Sequence, residues 1–250
     1  MRQAAYFPRT TLLAAFVVSI AIAIAFIAHS LWQERTVIDE QARDQTQTMA
    51  ALIERALFTS FHETDLILQI TADEYRRLSA QGPVPPVAMA AYMKSARQRV
   101  SHLENLRIFD ADGRVTHADV PLDPARPVSV ADRSYFQRIR TEKGLIFAPP
   151  LLGRISNQWI IPIQRRIECA DGRFCGGVGT SLPTASISKQ LATLDIGPHG
   201  AAVLFDAERN ILVRHPEPKG PGSAIGLKIG STEFQALWRD GHTSGTYTAR

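Results

Sequence analysis

The chain begins with an apolar run that carries no charged residue from Leu12 to Leu31. About 20 apolar residues in a helix are enough to cross the hydrocarbon core of a bilayer. Arg9 precedes the run and Trp32 follows it, a pattern that retains the N-terminus in the cytoplasm. We therefore predict a cytoplasmic segment over 1–11, a transmembrane helix over 12–32 and export of the rest of the chain.

A cleaved signal peptide is the alternative interpretation of this segment. Ala21-Ile22-Ala23 resembles a cleavage site. The apolar run is longer than a signal-peptide core, however, and the helical pattern continues through it without a turn-forming residue. The two interpretations differ in whether the exported part stays anchored.

A helical period continues beyond the apolar run. Hydrophobic residues recur at steps of three and four, at Ile38, Ala42, Met49, Leu52, Ile53, Ala56, Leu57 and Phe61. The polar residues between them are typical of a half-exposed helix. Neither Gly nor Pro occurs from Arg9 to Gln81. We predict a stalk helix over 33–82 that ends near Leu78 and extends roughly 65–70 Å from the membrane.

Beyond Gly82 the pattern predicts a second helix and then strands. The apolar face of the helix consists of Tyr92, Met93, Ala96, Val100 and Leu103. Two hairpins are predicted, Leu106–Asp110 with Arg114–His117 and Trp159–Ile167 with Phe174–Leu182. Their turns lie at Ala111-Asp112-Gly113 and at Asp171-Gly172. Short helices are predicted over Asp132–Arg140, capped by Asp132, and over Thr184–Leu194.

The strand pattern occurs twice along the chain. Ile108-Phe109-Asp110-Ala111-Asp112 reappears as Leu204-Phe205-Asp206-Ala207-Glu208, and Ser134-Tyr135-Phe136-Gln137 as Thr232-Glu233-Phe234-Gln235. Because order and spacing both repeat, we predict an α+β fold with tandem antiparallel-sheet modules over 83–196 and 197–250. The second module reaches Arg250 without its central hairpin, so we expect it to be incomplete and the natural protein to continue.

Composition excludes several classes of protein. The 250 residues carry a net charge of +4, with 28 basic residues dispersed among 24 acidic ones. No basic cluster is combined with aromatic residues, so nucleic acid is not an expected partner. The GxSxG and HExxH motifs of hydrolases do not occur in the sequence. We expect neither a catalytic site nor a cofactor in this chain.

The two cysteines, Cys169 and Cys175, flank the predicted hairpin tip ADGRF. Outside the cytoplasm a disulfide could close this small loop, and two unpaired structural thiols are the alternative. The spacing is not that of a CxxC motif and no histidine cluster accompanies it. A metal site is therefore not expected.

One face of a predicted strand suggests a ligand site. Strand alternation places on the same face Trp159, Ile161, Ile163, Arg165 and Ile167. An aromatic wall with an arginine suits a small anionic or planar ligand, because a guanidinium can bind a carboxylate through two parallel hydrogen bonds. The alternatives are that Trp159 belongs to the sheet core and that Arg166, on the other face, is the relevant cation.

Five further candidates lie near this strand in the sequence or the predicted fold. Arg133 and Tyr135 lie at the start of a predicted helix, where free N–H groups can bind anions. Arg154 and Asn157 lie in a polar loop before the strand, and His117 could line the same cavity. For each of them the alternative is a solvated or purely structural side chain.

Three segments of the chain resemble the membrane-distal module of double Cache sensor regions, especially those attached to GGDEF-type diguanylate cyclases. These segments are DRSYF at Asp132–Phe136, Pro150–Ile167, and DGRFCGGVGTSL at Asp171–Leu182. The resemblance implies PAS-like modules and a small-molecule pocket between Pro121 and Leu182. Some members bind α-amino acids through closely spaced Arg, Trp, Tyr and Asp residues. Here Ile160 follows Trp159 and no Asp comes two residues later, so that pattern is incomplete.

Together these features predict the sensor region of a receptor in the bacterial inner membrane. The sensing part would lie in the periplasm, bind a small molecule and form a homodimer. The resemblance favours a C-terminal diguanylate cyclase, outside this chain, as the output. A histidine kinase or a chemoreceptor is the alternative output, and an exported anchored enzyme or an adaptor protein is the alternative function.

Overall fold

The computed structural model of the chain describes residues 9–100, 102–153, 157–218, 224–242 and 245. Contacts divide the chain into two compact units, Met1–Leu52 and Ile53–Arg250. Most of the cytoplasmic segment predicted for 1–11 lies outside the described residues.

The described residues form helices and short strands in an α+β arrangement. The helices are α1 (Arg9–Ser79), α2 (Pro86–Arg97), α3 (Ser134–Thr141), α4 (Thr184–Leu191) and α5 (Thr232–Arg239). The strands are β1 (Arg107–Asp110), β2 (Val115–Ala118), β3 (Leu145–Phe147), β4 (Leu151–Leu152), β5 (Trp159–Glu168), β6 (Phe174–Pro183), β7 (Ala202–Phe205) and β8 (Ile211–His215). These bounds confirm both predicted hairpins to within a residue or two.

Helix α1 begins in the first unit and ends close to the predicted position near Leu78. In the first unit, large apolar side chains such as Phe16, Ile22 and Phe26 are exposed. Within the residues that the structure describes, none of the helices combines the length and the apolar character needed to cross a membrane. Beyond α1, Pro85 is the N-cap of α2 and Pro86 occupies its first turn, where a missing N–H costs nothing.

The second unit is built around an antiparallel sheet with the strand order β2-β1-β6-β5-β3, in which β4 also pairs with β5. The longest pairing joins β5 to β6, from Ile160 opposite Pro183 to Glu168 opposite Phe174. The positive φ of Gly172, 81°, permits the tight turn between these strands. Strand β1 pairs with β6, so the first hairpin extends the same sheet.

One face of the sheet packs against α1 and α2. The shared core includes Ile108, Ile161, Ile163 and Val178 from the strands, Leu68 from α1 and Met93 from α2. Most of these side chains are fully buried, and each such aliphatic group contributes about 1.5–3 kcal/mol relative to an exposed one. Contact with this core therefore explains the buried and half-buried apolar positions of α1 from Ile53 onward, whereas Leu52 of the predicted stripe is 59% exposed.

The opposite face of the sheet packs against α3. Phe109 of β1 meets Phe136 of α3 edge to face, with ring centroids 6.0 Å apart, and Phe136 meets Phe174 at 6.1 Å. A Cβ at Gly177 would overlap the Phe109 ring and lie 2.8 Å from Ile139 Cδ1. This glycine is required because a helix and an aromatic ring approach the strand closely.

The β7–β8 hairpin reproduces the geometry of the β1–β2 hairpin. Both hairpins shift register at the equivalent place, between Ile108 and Phe109 and between Leu204 and Phe205. Asp206 Oδ1 accepts a hydrogen bond from the Asn210 N–H at 2.8 Å, as Asp110 Oδ1 accepts one from the Arg114 N–H at 2.9 Å. Phe205 and Phe234 form the counterpart of the Phe109–Phe136 contact, with centroids 5.1 Å apart. The repeated sequence therefore folds into a repeated hairpin and helix.

The structure corrects the predicted start of α3. Arg133, not Asp132, is the N-cap residue, and its side chain makes no capping hydrogen bond. The Arg133 N–H donates to the Val130 carbonyl at 2.9 Å, so residues 130–133 form a turn that delays the first helical residue to Ser134. A local turn thus overrides the capping preference of the aspartate.

Candidate functional site

A small, partly open cavity lies on the α3 side of the sheet. Its volume is about 50 Å³, and it is bounded by β1, β5, β6, the segment before α3 and the start of α3. Its apolar wall consists of Phe109, Val128, Val130, Leu151, Ile160 and Pro162. Its polar lining consists of Glu104, Arg107, Ser129, Arg133, Tyr135, Gln164, Thr180 and Ser181. An apolar wall with a few polar groups is the usual composition of a small-molecule site.

Among the described residues, three charged side chains line this cavity, Glu104, Arg107 and Arg133, and all are half-buried. Within the described part of the chain, none of the three side chains takes part in an ion pair or hydrogen bond. Half-buried charges without partners are costly, because burial removes part of their hydration. The cavity therefore offers free donors, chiefly to an anion.

The Gln164 amide lies against the backbone of β6. It is 5% exposed, and a Cβ at Gly179 would overlap its side-chain oxygen. Gly179 thus makes room for this buried amide beside the cavity. The amide can both donate and accept hydrogen bonds, which suits recognition of a polar ligand.

Two of the residues predicted for the site line the cavity. Arg133 lies at the N-cap of α3, and Tyr135 is 6% exposed in its first turn. The turn over residues 130–133 leads directly into α3, which packs on this face of the sheet. The structure therefore brings together the loop-to-helix residues that the sequence singled out.

Trp159 and Arg165 lie on the sheet face opposite the cavity. On β5 the cavity is lined by Ile160, Pro162 and Gln164, the alternate set of residues. The Arg165 guanidinium instead forms an ion pair with Asp65 of α1. The side chains of this pair are 26% and 23% exposed. The structure therefore does not place Trp159 or Arg165 in this cavity.

Three predicted residues remain. Arg154 is outside the described residues. Asn157 has a positive φ of 51°, and its N–H donates to the carbonyl of Gly153, a cavity residue, at 2.9 Å. His117 lies in a separate groove between α2 and β2, where its ring meets Tyr75 edge to face at 5.5 Å. Burial raises the pKa of the Tyr75 hydroxyl above its usual value.

Glu104, Arg107 and Gln164 line the cavity but were not among the site residues predicted from the sequence. A signal for the correct face was available in β6, where Gly177 and Gly179 occupy alternate positions. Missing side chains on one face of a strand leave space on that face. The face of β5 next to these glycines, which includes Gln164, was therefore the one with room for a ligand.

The hairpin tip carries a disulfide. Cys169 and Cys175 are bonded, with their Cα atoms 5.5 Å apart, and the bond closes the β5–β6 turn. Among the described residues, no group of His, Cys, Asp and Glu side chains is arranged to hold a metal ion.

Comparison with known protein families gave one family match. A model described as Cache domain (dCache_1) matches residues 33–246. A comparison with curated proteins found no match.

Solved structures share the fold. The extracellular domain of the putative histidine kinase rpHK1S-Z16 is 27% identical, with a TM-score of 0.56; the match covers 63% of this chain and 64% of that domain. The Pseudomonas fluorescens chemoreceptor CtaA ligand-binding domain, bound to L-isoleucine, is 21% identical, with a TM-score of 0.60 over 78% and 76% of the two chains. The Campylobacter jejuni chemoreceptor Tlp3 domain, bound to L-valine, is 16% identical, with a TM-score of 0.54 over 72% and 73%.

Proposed function

The chain belongs to the Cache domain family, and on this basis we propose that it is the ligand-sensing region of a membrane-bound bacterial signalling receptor. Regions of this family are extracytoplasmic ligand-binding sensors of receptors such as histidine kinases and chemoreceptors. The observation that carries the proposal is the cavity on the sheet, which is lined by charged side chains without partners among the described residues.

Strand β5 offers a route from the cavity to α1. Gln164 faces the cavity, and the next residue, Arg165, faces the opposite side and is paired with Asp65 of α1. A ligand that shifts β5 would therefore act on α1 through an ion pair one residue away. Such signalling requires the ligand to bind two arrangements of the region with unequal affinity.

The proposal is tested by a thermal-shift screen of the purified chain against a panel of small metabolites. A ligand that binds the folded state raises the melting temperature by mass action. We expect at least one stabilising compound, and we expect Gly179→Ala to abolish its effect because the new Cβ displaces Gln164. Gly230→Ala is the matched control, since no atom lies within 4 Å of its added Cβ. An unchanged shift in Gly179→Ala would exclude the cavity as the site.

The membrane anchor is a separate proposal that rests on the uncharged run from Leu12 to Leu31. The exposure of Phe16 and Phe26, 65% and 72%, supports it, because such side chains require an apolar environment. We expect the expressed chain to remain in the membrane fraction after alkaline carbonate extraction. Recovery of a chain that starts near Ala25 in the soluble periplasmic fraction would instead support signal-peptide cleavage.

For the output we propose a diguanylate cyclase, with a histidine kinase or a chemoreceptor as the alternative. The resemblance of Asp132–Leu182 to cyclase-linked sensor regions supports the first, and the fold of the kinase and chemoreceptor domains supports the others. Measuring cyclic di-GMP in cells with and without the intact receptor distinguishes them. Unchanged cyclic di-GMP levels would remove the cyclase proposal.

We also propose that the region forms a homodimer through α1. Phe58 and Leu66 are 71% and 52% exposed and lie two helical turns apart. We expect Phe58→Glu to shift the chain toward monomer in analytical ultracentrifugation. Val87→Glu on α2, where the apolar side chain is 83% exposed, is the matched control. Equal effects of the two changes would remove α1 as the interface.

A further inference from the structure

The charges in the cavity define the charge of its ligand. Two guanidinium groups, Arg107 and Arg133, and one carboxylate, Glu104, line it without partners in the described part of the chain. The described residues of the lining therefore carry one excess positive charge. A ligand with a single negative charge would neutralise that excess, whereas a zwitterion would leave one guanidinium uncompensated in a half-buried site.

The volume of the cavity limits the size of the ligand. A single water occupies on the order of 10–15 Å³. The free space of about 50 Å³ exceeds that of one water and suits a ligand of few non-hydrogen atoms. Long aliphatic or aromatic ligands would extend beyond this space or displace its wall.

The apolar wall of the cavity indicates the chemistry of the uncharged part of the ligand. Phe109, Val130, Ile160 and Pro162 present hydrocarbon to the cavity, next to the arginine side chains. A short alkyl chain gains by contact with this wall, and inorganic anions do not. Carboxylate is the anion whose two oxygens match the planar guanidinium in a bidentate manner.

We propose that the ligand of this site is a short-chain aliphatic monocarboxylate, bound by Arg107 and Arg133 with its alkyl part against the apolar wall. This inference rests on the proposed sensor function and names the ligand class of the same cavity. It assigns Gln164 and Tyr135 to the polar contacts that remain around the carboxylate.

Isothermal titration of the whole chain with acetate, propionate and butyrate tests the proposal. Propionate and L-alanine differ only by the ammonium group, so this pair isolates the effect of the ligand's positive charge. We expect propionate to bind roughly tenfold or more tightly than L-alanine. Hexanoate, which exceeds the cavity, and inorganic phosphate, which lacks an alkyl part, should bind more weakly than propionate.

Two variants assign the binding to the cavity. Arg107→Gln and Arg133→Gln should each weaken propionate binding by roughly tenfold or more, because each removes charge-assisted hydrogen bonds. Arg126→Gln, in an exposed loop, is the matched control and should leave the affinity unchanged. The comparison of propionate with L-alanine on the unaltered chain needs no variant, so a folding defect in either one leaves the proposal testable.

The outcomes separate this inference from the proposed function. Absence of binding by all three carboxylates, or tighter binding of L-alanine than of propionate, would overturn the monocarboxylate assignment. If a different compound from the metabolite panel then stabilises the chain and loses its effect in Gly179→Ala, the sensor function stands. If no panel compound binds at this cavity, the proposed function fails as well.

Discussion

The Asp65 carboxylate joins α1 to the sheet through two partners. One oxygen accepts from the Arg165 guanidinium on β5, and the other accepts from Gln69 Nε2 at 2.7 Å. Because less than a third of either charged side chain is exposed, solvent screens this ion pair less than a surface pair. The pair links the strand that lines the cavity to the long helix.

We predict that Asp65→Asn lowers the free energy of unfolding by about 1–3 kcal/mol, since it leaves a half-buried guanidinium with a weaker partner. Asp73→Asn is the control, because its partner Arg76 lies on the same helix and both side chains are more than half exposed. Its expected effect is below about 0.5 kcal/mol. Urea denaturation measures both values. Equal losses of unfolding free energy in the two variants would mean that the Asp65–Arg165 pair stabilises the fold no more than an exposed ion pair does.

Strand alternation identified which residues of β5 share a face but not which face borders the cavity. Trp159 and Arg165 share the face that contacts the helices, while Gln164 borders the cavity. The choice depends on where α1 and α3 pack, which is a long-range property. Arg133 and Tyr135 were predictable because a loop-to-helix junction is local in sequence.

At the scale of secondary structure, the β5–β6 hairpin is held at its tip by the Cys169–Cys175 disulfide. A crosslink between residues six positions apart restricts the unfolded chain only over a short loop. We predict that Cys169→Ser with Cys175→Ser lowers the free energy of unfolding by about 2 kcal/mol. Thermal or urea denaturation measures the loss.

Dithiothreitol provides the control for this prediction. It should destabilise the natural chain by the same amount and leave the double serine variant unaffected. If reduction of the natural chain changes nothing, the hydrogen bonds within the hairpin and to β1, β3 and β4 hold it without the crosslink.

The hairpins were predictable because their determinants are close in sequence. Gly113 and Gly172 have positive φ values of 80° and 81° at the β1–β2 and β5–β6 turns. In the β1–β2 and β7–β8 hairpins, the carboxylates of Asp110 and Asp206 each accept a hydrogen bond from the backbone N–H four residues later. The strand order was not predictable in the same way. Strand β1 pairs with β6, which follows it by more than sixty residues, and no local pattern encodes that contact.

At the scale of the molecule, the two faces of one sheet have different roles. One face carries the cavity and packs on α3, and the other packs on α1 and α2. Adjacent residues of β5 therefore reach the proposed ligand site on one side and the long helix on the other. This arrangement suits a sensor region, in which binding must be communicated over a distance.

Hydrogen–deuterium exchange with and without the most stabilising compound of the metabolite panel tests this account most directly. We predict slower exchange in Arg107–Asp110 and Trp159–Glu168, together with a change in α1 between Ile53 and Ser79. In Asp65→Asn the protection of the strands should persist and the change in α1 should diminish. Protection confined to the groove between α2 and β2, with no change in β5 or α1, would contradict both the site and its link to the helix.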